Sequence, residues 1–144
     1  MIEQGIVNTK VFKVTEENTA EHLLSGMLPV YATPSLIALM EYTCFSSVHP
    51  LLEEGFGTVG SRIDCKHLAP TPVGGCVTCR SELIEVDGRR LVFKVTAEDD
   101  LGPVGEAIHE RFIINNAKFM AKVEAKAERI NSLSRDGEAE IRPW

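Results

Sequence analysis

Residues 33–48 read TPSLIALMEYTCFSSV, and this stretch decides the fold. Thr33 is typical of a helix N-cap, and Pro34 suits the first helical position, where no backbone N–H is needed. The pattern predicts a helix that ends before Pro50. Apolar side chains cover almost its whole circumference, and a helix that is apolar all round is buried. The rest of the chain is therefore expected to wrap around this helix.

The flanking sequence supplies strands for that wrapping. Alternating apolar and polar residues predict one strand before the helix, at 8–15, and four after it, at 57–67, 76–86, 89–99 and 104–115. Asp87-Gly88 is typical of a tight hairpin turn, and Gly102-Pro103 predicts the next turn. Short turns imply antiparallel neighbours. The sequence thus predicts an α+β hotdog fold, a curled antiparallel sheet of about five strands wrapped around one central apolar helix.

Length and composition indicate one soluble enzyme-sized domain. The chain has 144 residues, of which 44% are hydrophobic and 25% charged. We expect a single domain at 1–133, ending in a surface helix, and a flexible tail at 134–144. The N-terminal residues MIEQGIVNTK lack the features of a signal peptide, and no apolar run is long enough to span a bilayer. These features predict a cytoplasmic protein with no membrane partner.

The net charge of −6 argues against a nucleic-acid partner, because nucleic-acid binders usually present a basic face. The four cysteines include Cys76 and Cys79 in a CxxC pattern. Residues three apart on a strand point to opposite faces, and no second ligand pair completes a zinc set. We therefore expect four reduced, mostly buried thiols and no metal site.

Three side chains are candidates for chemistry, each with a plainer alternative. Glu41 is the only charged residue within the apolar helix, so it either reaches an exposed strip or is a carboxylate desolvated for nucleophilic or base work. Thr33 either simply caps the helix or orients a substrate at the positive helix end, which suits a developing oxyanion. His67 either donates to a nearby carbonyl at the end of its strand or manages protons. His109 is a weaker candidate, because it could face either side of its strand.

Four blocks of sequence, in order and at near-constant spacing, resemble the fluoroacetyl-CoA thioesterase and its hotdog-fold relatives. The blocks are VYATPSLIALMEYTC at 30–44, GSRIDCKHLAPTPVG at 60–74, EVDGRRLVFKVTA at 85–97 and HERF at 109–112. The similarity covers residues 8–123, and a match of several blocks is far more specific than one motif. It implies that Thr33, Glu41 and His67 are catalytic and that Gly60 and Arg111 support the site.

The resemblance also implies a homodimer that acts on an acyl-CoA, with the active site at the subunit interface. Coenzyme A would arrive as part of the substrate, and no separate cofactor is expected. The family carries two phenylalanines that form a lid over the substrate, and the matching positions here are Leu24 and Met27. We therefore expect a thioesterase for a short-chain acyl-CoA with little preference for a fluorinated acyl group.

The sequence leaves the mechanism and two other functions open. Glu41 could attack the thioester to give a mixed anhydride, or it could activate water as a general base. A non-catalytic hotdog module that binds acyl-CoA or another apolar ligand is the main alternative. A hotdog hydratase or dehydratase acting on an enoyl-CoA is a third possibility, and it would release no thiol.

Overall fold

One long helix and a five-stranded antiparallel sheet dominate the part of the chain that the computed structural model describes, residues 2–133. The elements are β1 (Val7–Lys13), α1 (Ala20–Leu23), α2 (Thr33–Val48), β2 (Phe56–His67), β3 (Cys76–Asp87), β4 (Arg90–Asp99), β5 (Gly102–Asn115) and α3 (Asn116–Asn131). The strand order is β1-β3-β4-β5-β2, and all neighbouring strands are antiparallel. The predicted fold class is therefore confirmed. The predicted flexible tail at 134–144 lies outside the described residues.

Helix α2 packs one side against the sheet and leaves the other side open. The sheet side is formed by the buried residues Leu36, Leu39, Met40, Thr43, Cys44 and Val48. On the opposite side Ala38 and Tyr42 are exposed, whereas Glu41 lies at the flank of α2, half-buried against β5. The expectation that the helix is buried all round is thus wrong for a single chain, because the curled sheet covers only one side of it.

The helix starts differently from the sequence prediction. Ala32 is the N-cap, and its carbonyl accepts the first intrahelical hydrogen bond from the Leu36 N–H at 3.0 Å. Thr33 lies inside the first turn, and no side chain caps this end. The prediction that Thr33 is the N-cap is therefore wrong, because its hydroxyl is engaged with a residue on another element.

A glycine lets the start of α2 approach the sheet closely. Gly105 on β5 pairs with His67 on β2, and a Cβ at position 105 would lie only 2.7 Å from Leu36 Cδ2. Contacts that short are not tolerated between packed atoms, so a larger residue would push the helix away. The missing side chain therefore brings the first turn of α2 next to the end of β2.

The turns largely follow the sequence prediction. Gly88 has a φ of 60° in the turn between β3 and β4, where glycine adopts the left-handed conformation at little cost. Strand β5 begins at Gly102 rather than after Pro103, because Asp99 and Gly102 still pair in register. The predicted turn at Gly102-Pro103 is therefore shifted towards Leu101.

All four cysteines are free thiols, as predicted. Two of them, Cys44 and Cys79, are buried, whereas Cys65 and Cys76 are only half-buried. Within residues 2–133, none of the helices combines the length and the apolar character required to cross a membrane.

Candidate active site

The first cluster of candidate residues lies where α2 begins and β2 ends. Thr33 Oγ1 and His67 Nδ1 share a hydrogen bond of 2.8 Å within the same chain. Thr33 is in the first turn of α2, and His67 is the last residue of β2. The close approach of helix and sheet at this point therefore joins two of the three residues that the sequence singles out.

The His67 ring is held in a state suited to proton transfer. Burial lowers the pKa of His67 below its ordinary value, and the backbone of Ala69 opposes this shift to a smaller degree. The ring is therefore neutral near pH 7. Its second nitrogen, Nε2, is buried and makes no hydrogen bond of good geometry to the described residues. That nitrogen is therefore closed off from solvent in the single chain.

A cavity of about 310 Å³ adjoins this cluster. It is lined by Ala20, Ser25, Val30, Tyr31, Ala32, Thr33, His67, Leu68, Ala69 and Pro70. The backbone N–H groups of Thr33 and Ser35 also precede the first intrahelical bond of α2, at the positive end of the helix dipole. A small polar group in the cavity would therefore meet a hydroxyl, an imidazole and a helix end.

The second cluster lies between the flank of α2 and strands β2 and β5. Glu41 Oε2 is 3.6 Å from Arg111 Nη1 on β5, and the two side chains are 42% and 8% exposed, respectively. Arg111 is fixed further by Thr58, whose hydroxyl accepts from Nε at 2.8 Å and whose carbonyl accepts from Nη2 at 2.9 Å. Glu41 is thus a partly accessible carboxylate beside a buried, anchored cation. Of the two interpretations of Glu41, the exposed strip describes its surroundings better than full desolvation.

Gly60 provides the space for this ion pair. It lies opposite Arg111 in the register of β2 and β5, beside a bulge in β2. A Cβ at position 60 would lie 3.0 Å from Glu41 Oε2 and 3.3 Å from Arg111 Nη1. Those distances are shorter than ordinary contacts, so the absence of a side chain lets the carboxylate and the guanidinium meet. This geometry agrees with the supporting role that the resemblance implies for Gly60 and Arg111.

His109 is part of the second cluster, although it was a weaker candidate because it could face either side of its strand. It is 1% exposed, and its Nε2 lies 3.1 Å from Arg111 Nη1. The signal that could have found it is the spacing of His109 and Arg111, because residues two apart on a strand share a face. If Arg111 lies beside the helix, His109 is therefore expected to lie beside it as well.

The two clusters do not meet within one chain. Thr33 and Glu41 are eight residues apart on the single helix α2, so their backbones are separated by about 12 Å along its axis. His67 is hydrogen-bonded to Thr33, whereas Glu41 is paired with Arg111. Each chain therefore presents two separate groups of candidate side chains.

Leu24 and Met27 do not line the cavity at the first cluster. Their exposed fractions are 76% and 90%, so neither side chain is packed within the chain. Leu24 ends α1 with a left-handed backbone, φ 58°, and Ser25 next to it lines the cavity with Thr33 and His67. The structure therefore places Ser25, and neither of the two predicted residues, at the cavity.

The buried thiols are poor alternatives as nucleophiles. Burial raises the pKa of Cys79 to about 11, and burial likewise raises the pKa of Cys44 far above its ordinary range. The reactive form of cysteine is the thiolate, which is scarce at neutral pH under these conditions. Neither buried thiol is therefore a ready nucleophile at neutral pH.

Comparison with known proteins gives the family. A family model described as "Fluoroacetyl-CoA-specific thioesterase" matches residues 14–117. The chain belongs to this family. It is 39% identical over 124 residues to the fluoroacetyl-CoA thioesterase of Streptantibioticus cattleyicolor, across 82% of this chain and 89% of that protein.

Solved structures of the fluoroacetyl-CoA-specific thioesterase family and of related proteins share the fold. A crystal structure of the fluoroacetyl-CoA thioesterase superposes with a TM-score of 0.83 at 37% identity and covers 88% of this chain and 98% of that one. A hypothetical protein of Thermus thermophilus, described as a thioesterase superfamily member, superposes with a TM-score of 0.86 at 30% identity over 92% of this chain and 98% of that one. The predicted family, hotdog fold and enzyme class, a thioester hydrolase, are therefore confirmed. The roles of the individual site residues stay predictions.

Proposed function

We propose that this protein is an acyl-CoA thioesterase that hydrolyses a short-chain acyl-CoA to the free acid and coenzyme A. The observation that carries the proposal is the Glu41–Arg111 pair, a partly accessible carboxylate held 3.6 Å from a buried cation beside a glycine gap. Glu41 is the only charged residue of α2, and its carboxylate stays 42% exposed beside the buried Arg111, so it is open to a ligand rather than enclosed in the core. Because the chain belongs to a thioesterase family, a thioester is the natural substrate for this carboxylate.

In this proposal Glu41 starts the reaction. It either attacks the thioester carbon to give a mixed anhydride, which water then cleaves, or it takes a proton from a water molecule that attacks instead. In both routes the C–S bond breaks and the thiolate of coenzyme A leaves. His67, whose ring is neutral, relays to this thiolate a proton that comes from water.

Thr33 and the start of α2 hold the thioester in the proposed mechanism. The Thr33 hydroxyl orients His67 through their hydrogen bond of 2.8 Å. The helix end offers partial positive charge to the carbonyl oxygen, which becomes an oxyanion during attack. Water is the only co-reactant in these steps, and coenzyme A enters as part of the substrate.

We also propose that the active site forms between two copies of the chain. The separation of about 12 Å between the backbones of Thr33 and Glu41 is too large for both side chains to reach one thioester carbon from a single straight helix. A two-fold dimer would bring the Thr33–His67 cluster of one chain to the Glu41–Arg111 cluster of the other, twice over. The open side of α2 is available for such a contact. Homodimerisation and the cytoplasmic location stay predictions.

The proposed function is tested by release of free thiol from acyl-CoA substrates of increasing chain length. We expect the wild-type protein to release thiol from acetyl-CoA and other short acyl-CoAs. Glu41→Gln should lower this rate by about 10²–10⁴ while the protein stays folded, because it removes the reacting carboxylate. Glu53→Gln, an exposed glutamate beyond the end of α2, is the matched control and should keep the wild-type rate.

Three outcomes contradict the proposal. Glu41→Gln protein with the wild-type rate would exclude Glu41 as the reacting group. Saturable binding of acyl-CoA without thiol release would favour the non-catalytic hotdog module. Conversion of an enoyl-CoA without thiol release would favour a hydratase.

A further inference from the structure

Both ring nitrogens of His109 are engaged in hydrogen bonds inside the sheet. Nδ1 lies 2.7 Å from the carbonyl oxygen of Arg62 on the neighbouring strand β2. A carbonyl oxygen can only accept, so Nδ1 carries the proton. Nε2 lies 3.1 Å from Arg111 Nη1, and a guanidinium can only donate. These two contacts therefore define a neutral ring, protonated at Nδ1, whose Nε2 lone pair accepts from Arg111.

The guanidinium nitrogen that His109 holds is the one that faces the reactive carboxylate. Arg111 Nη1 is shared between His109 Nε2 and Glu41 Oε2, whereas Nε and Nη2 are bound to Thr58. The arginine thus has three hydrogen bonds on the sheet and two contacts to the helix, the Glu41 carboxylate and the ring of Phe45, whose centroid lies 5.7 Å from Arg111 Cζ. Loss of the His109 contact would release Nη1, the guanidinium nitrogen that faces Glu41.

We propose that His109 is a positioning residue that holds Arg111 against the Glu41 carboxylate only while its imidazole is neutral, so that its protonation disengages this half of the site. The inference rests on the proposed function in one respect, that Glu41 is the reacting carboxylate. The contact between His109 and Arg111 itself is independent of what the protein catalyses.

The physical reason is the conversion of an acceptor into a donor. A protonated His109 would direct an Nε2–H at the Nη1–H of Arg111 and would place two positive charges side by side in a buried site. The Arg62 carbonyl would still accept a hydrogen bond from Nδ1–H, so a flip of the ring would not relieve the clash. Arg111 would therefore have to move away from its place beside Glu41.

The surroundings of His109 favour the neutral ring near pH 7. Burial lowers its pKa, and the charge of Arg111 acts in the same direction. The Arg62 carbonyl on β2 and the carboxylates of Glu41 on α2 and Glu110 on β5 oppose the shift. From β4 the packed group is the uncharged ring of Phe93, whose centroid lies 6.4 Å away.

The activity test compares two substitutions at position 109 by thiol release from acetyl-CoA at pH 7.5. His109→Leu removes the acceptor but keeps apolar bulk, and it should lower kcat by about tenfold or more with a smaller change in KM. His109→Gln places an uncharged oxygen acceptor near Arg111 and should restore most of that loss. His22→Leu, on the exposed α1, is the matched control and should leave kcat unchanged.

The pH profile separates positioning from a purely structural role. In wild-type protein kcat should fall as His109 becomes protonated, and in His109→Gln, whose side chain does not titrate, that part of the fall should be missing. Equal losses in both variants, full activity in both, or an identical acid limb in wild type and His109→Gln would overturn the inference. If His109→Leu does not fold, the comparison of wild type with His109→Gln still decides.

A measurement without turnover separates this inference from the proposed function. Nitrogen NMR of the labelled full-length protein should show His109 protonated at Nδ1 and bare at Nε2, with slowly exchanging Arg111 N–H signals that are lost as His109 becomes protonated. Arg111 signals that persist beside a protonated His109 would overturn the inference whatever the enzyme does. Full activity of Glu41→Gln would instead refute the proposed function and leave the His109–Arg111 contact standing.

Discussion

Replacing Gly60 by alanine should damage catalysis without unfolding the protein. The new Cβ would lie 3.0 Å from Glu41 Oε2, whereas ordinary contact begins at 3.4 Å, so the carboxylate must retreat by about 0.4 Å. A misplacement of 1 Å can cost about 10²-fold in rate. If the activation free energy rises in proportion to the displacement, a retreat of about 0.4 Å lowers the rate by about sixfold. The exposed fraction of Glu41, 42%, lets its side chain move toward solvent without disturbing the core.

The stability of the Gly60→Ala protein should change by no more than about 1 kcal/mol. Alanine restricts the unfolded chain and so stabilises the fold slightly, which offsets the crowding beside Glu41. Gly57→Ala is the control, because it lies on the same strand and its Cβ would lie 2.8 Å from Asn116 Oδ1, away from the site. The control introduces at least as much steric strain but should keep the wild-type rate.

The assay measures kcat by thiol release from acetyl-CoA and the free energy of unfolding by urea denaturation, for all three proteins. A Gly60→Ala protein as active as the wild type would refute the argument that the glycine gap positions the Glu41–Arg111 pair. A rate that falls equally in Gly57→Ala would show that the loss comes from general disturbance of β2.

Three further predictions concern the first cluster, the substrate and the response to acid. Thr33→Val should lower kcat by about tenfold or more, because the hydroxyl orients His67. The urea midpoint of unfolding should stay within error, because the hydroxyl does not cap α2, and a large drop in that midpoint would contradict this. Leu24 and Met27 provide no aromatic lid, so kcat/KM should be similar for fluoroacetyl-CoA and acetyl-CoA. A strong preference for the fluorinated substrate would show that selectivity arises elsewhere. Burial holds the pKa values of His67 and His109 below the ordinary value of about 6.5, so the unfolded chain binds protons more readily than the folded one. The free energy of unfolding should therefore be highest above about pH 6.5 and should fall as the pH drops toward the lowered pKa values. Urea titrations at several pH values should show this fall, and it should be less steep in His109→Gln.

The architecture could be predicted from the sequence because each element carries its own local signal. The apolar stretch that became α2, the alternating strands and the Asp87-Gly88 turn all report on their near neighbours in the chain. Their combination leaves few ways to bury the apolar faces, which is why the five-stranded plan followed. The turn predicted at Gly102-Pro103 was misplaced, because pairing between β4 and β5 continues past the local turn signal.

The details of the site depend on contacts between distant parts of the chain, which local patterns do not encode. Thr33 looked like a helix cap because its partner, His67, is 34 residues away and reaches it only after α2 docks beside Gly105. The Glu41–Arg111 pair likewise needs the register of β2 against β5. Periodicity alone could not show that one side of α2 stays open, because it reports which side chains are apolar and not what covers them.

The proposal that two chains share each active site is tested most directly by mixing two inactive proteins. Glu41→Gln and His67→Ala are combined in equal amounts, subunit exchange is verified with a mass or fluorescence label, and thiol release from acetyl-CoA is measured. If Glu41 and His67 act from different chains, each heterodimer has one intact site and one doubly damaged site. Half of the dimers are then heterodimers, so activity should return to about one quarter of the wild-type value. If exchange occurs and no activity returns, the two residues act from the same chain and the shared site is contradicted.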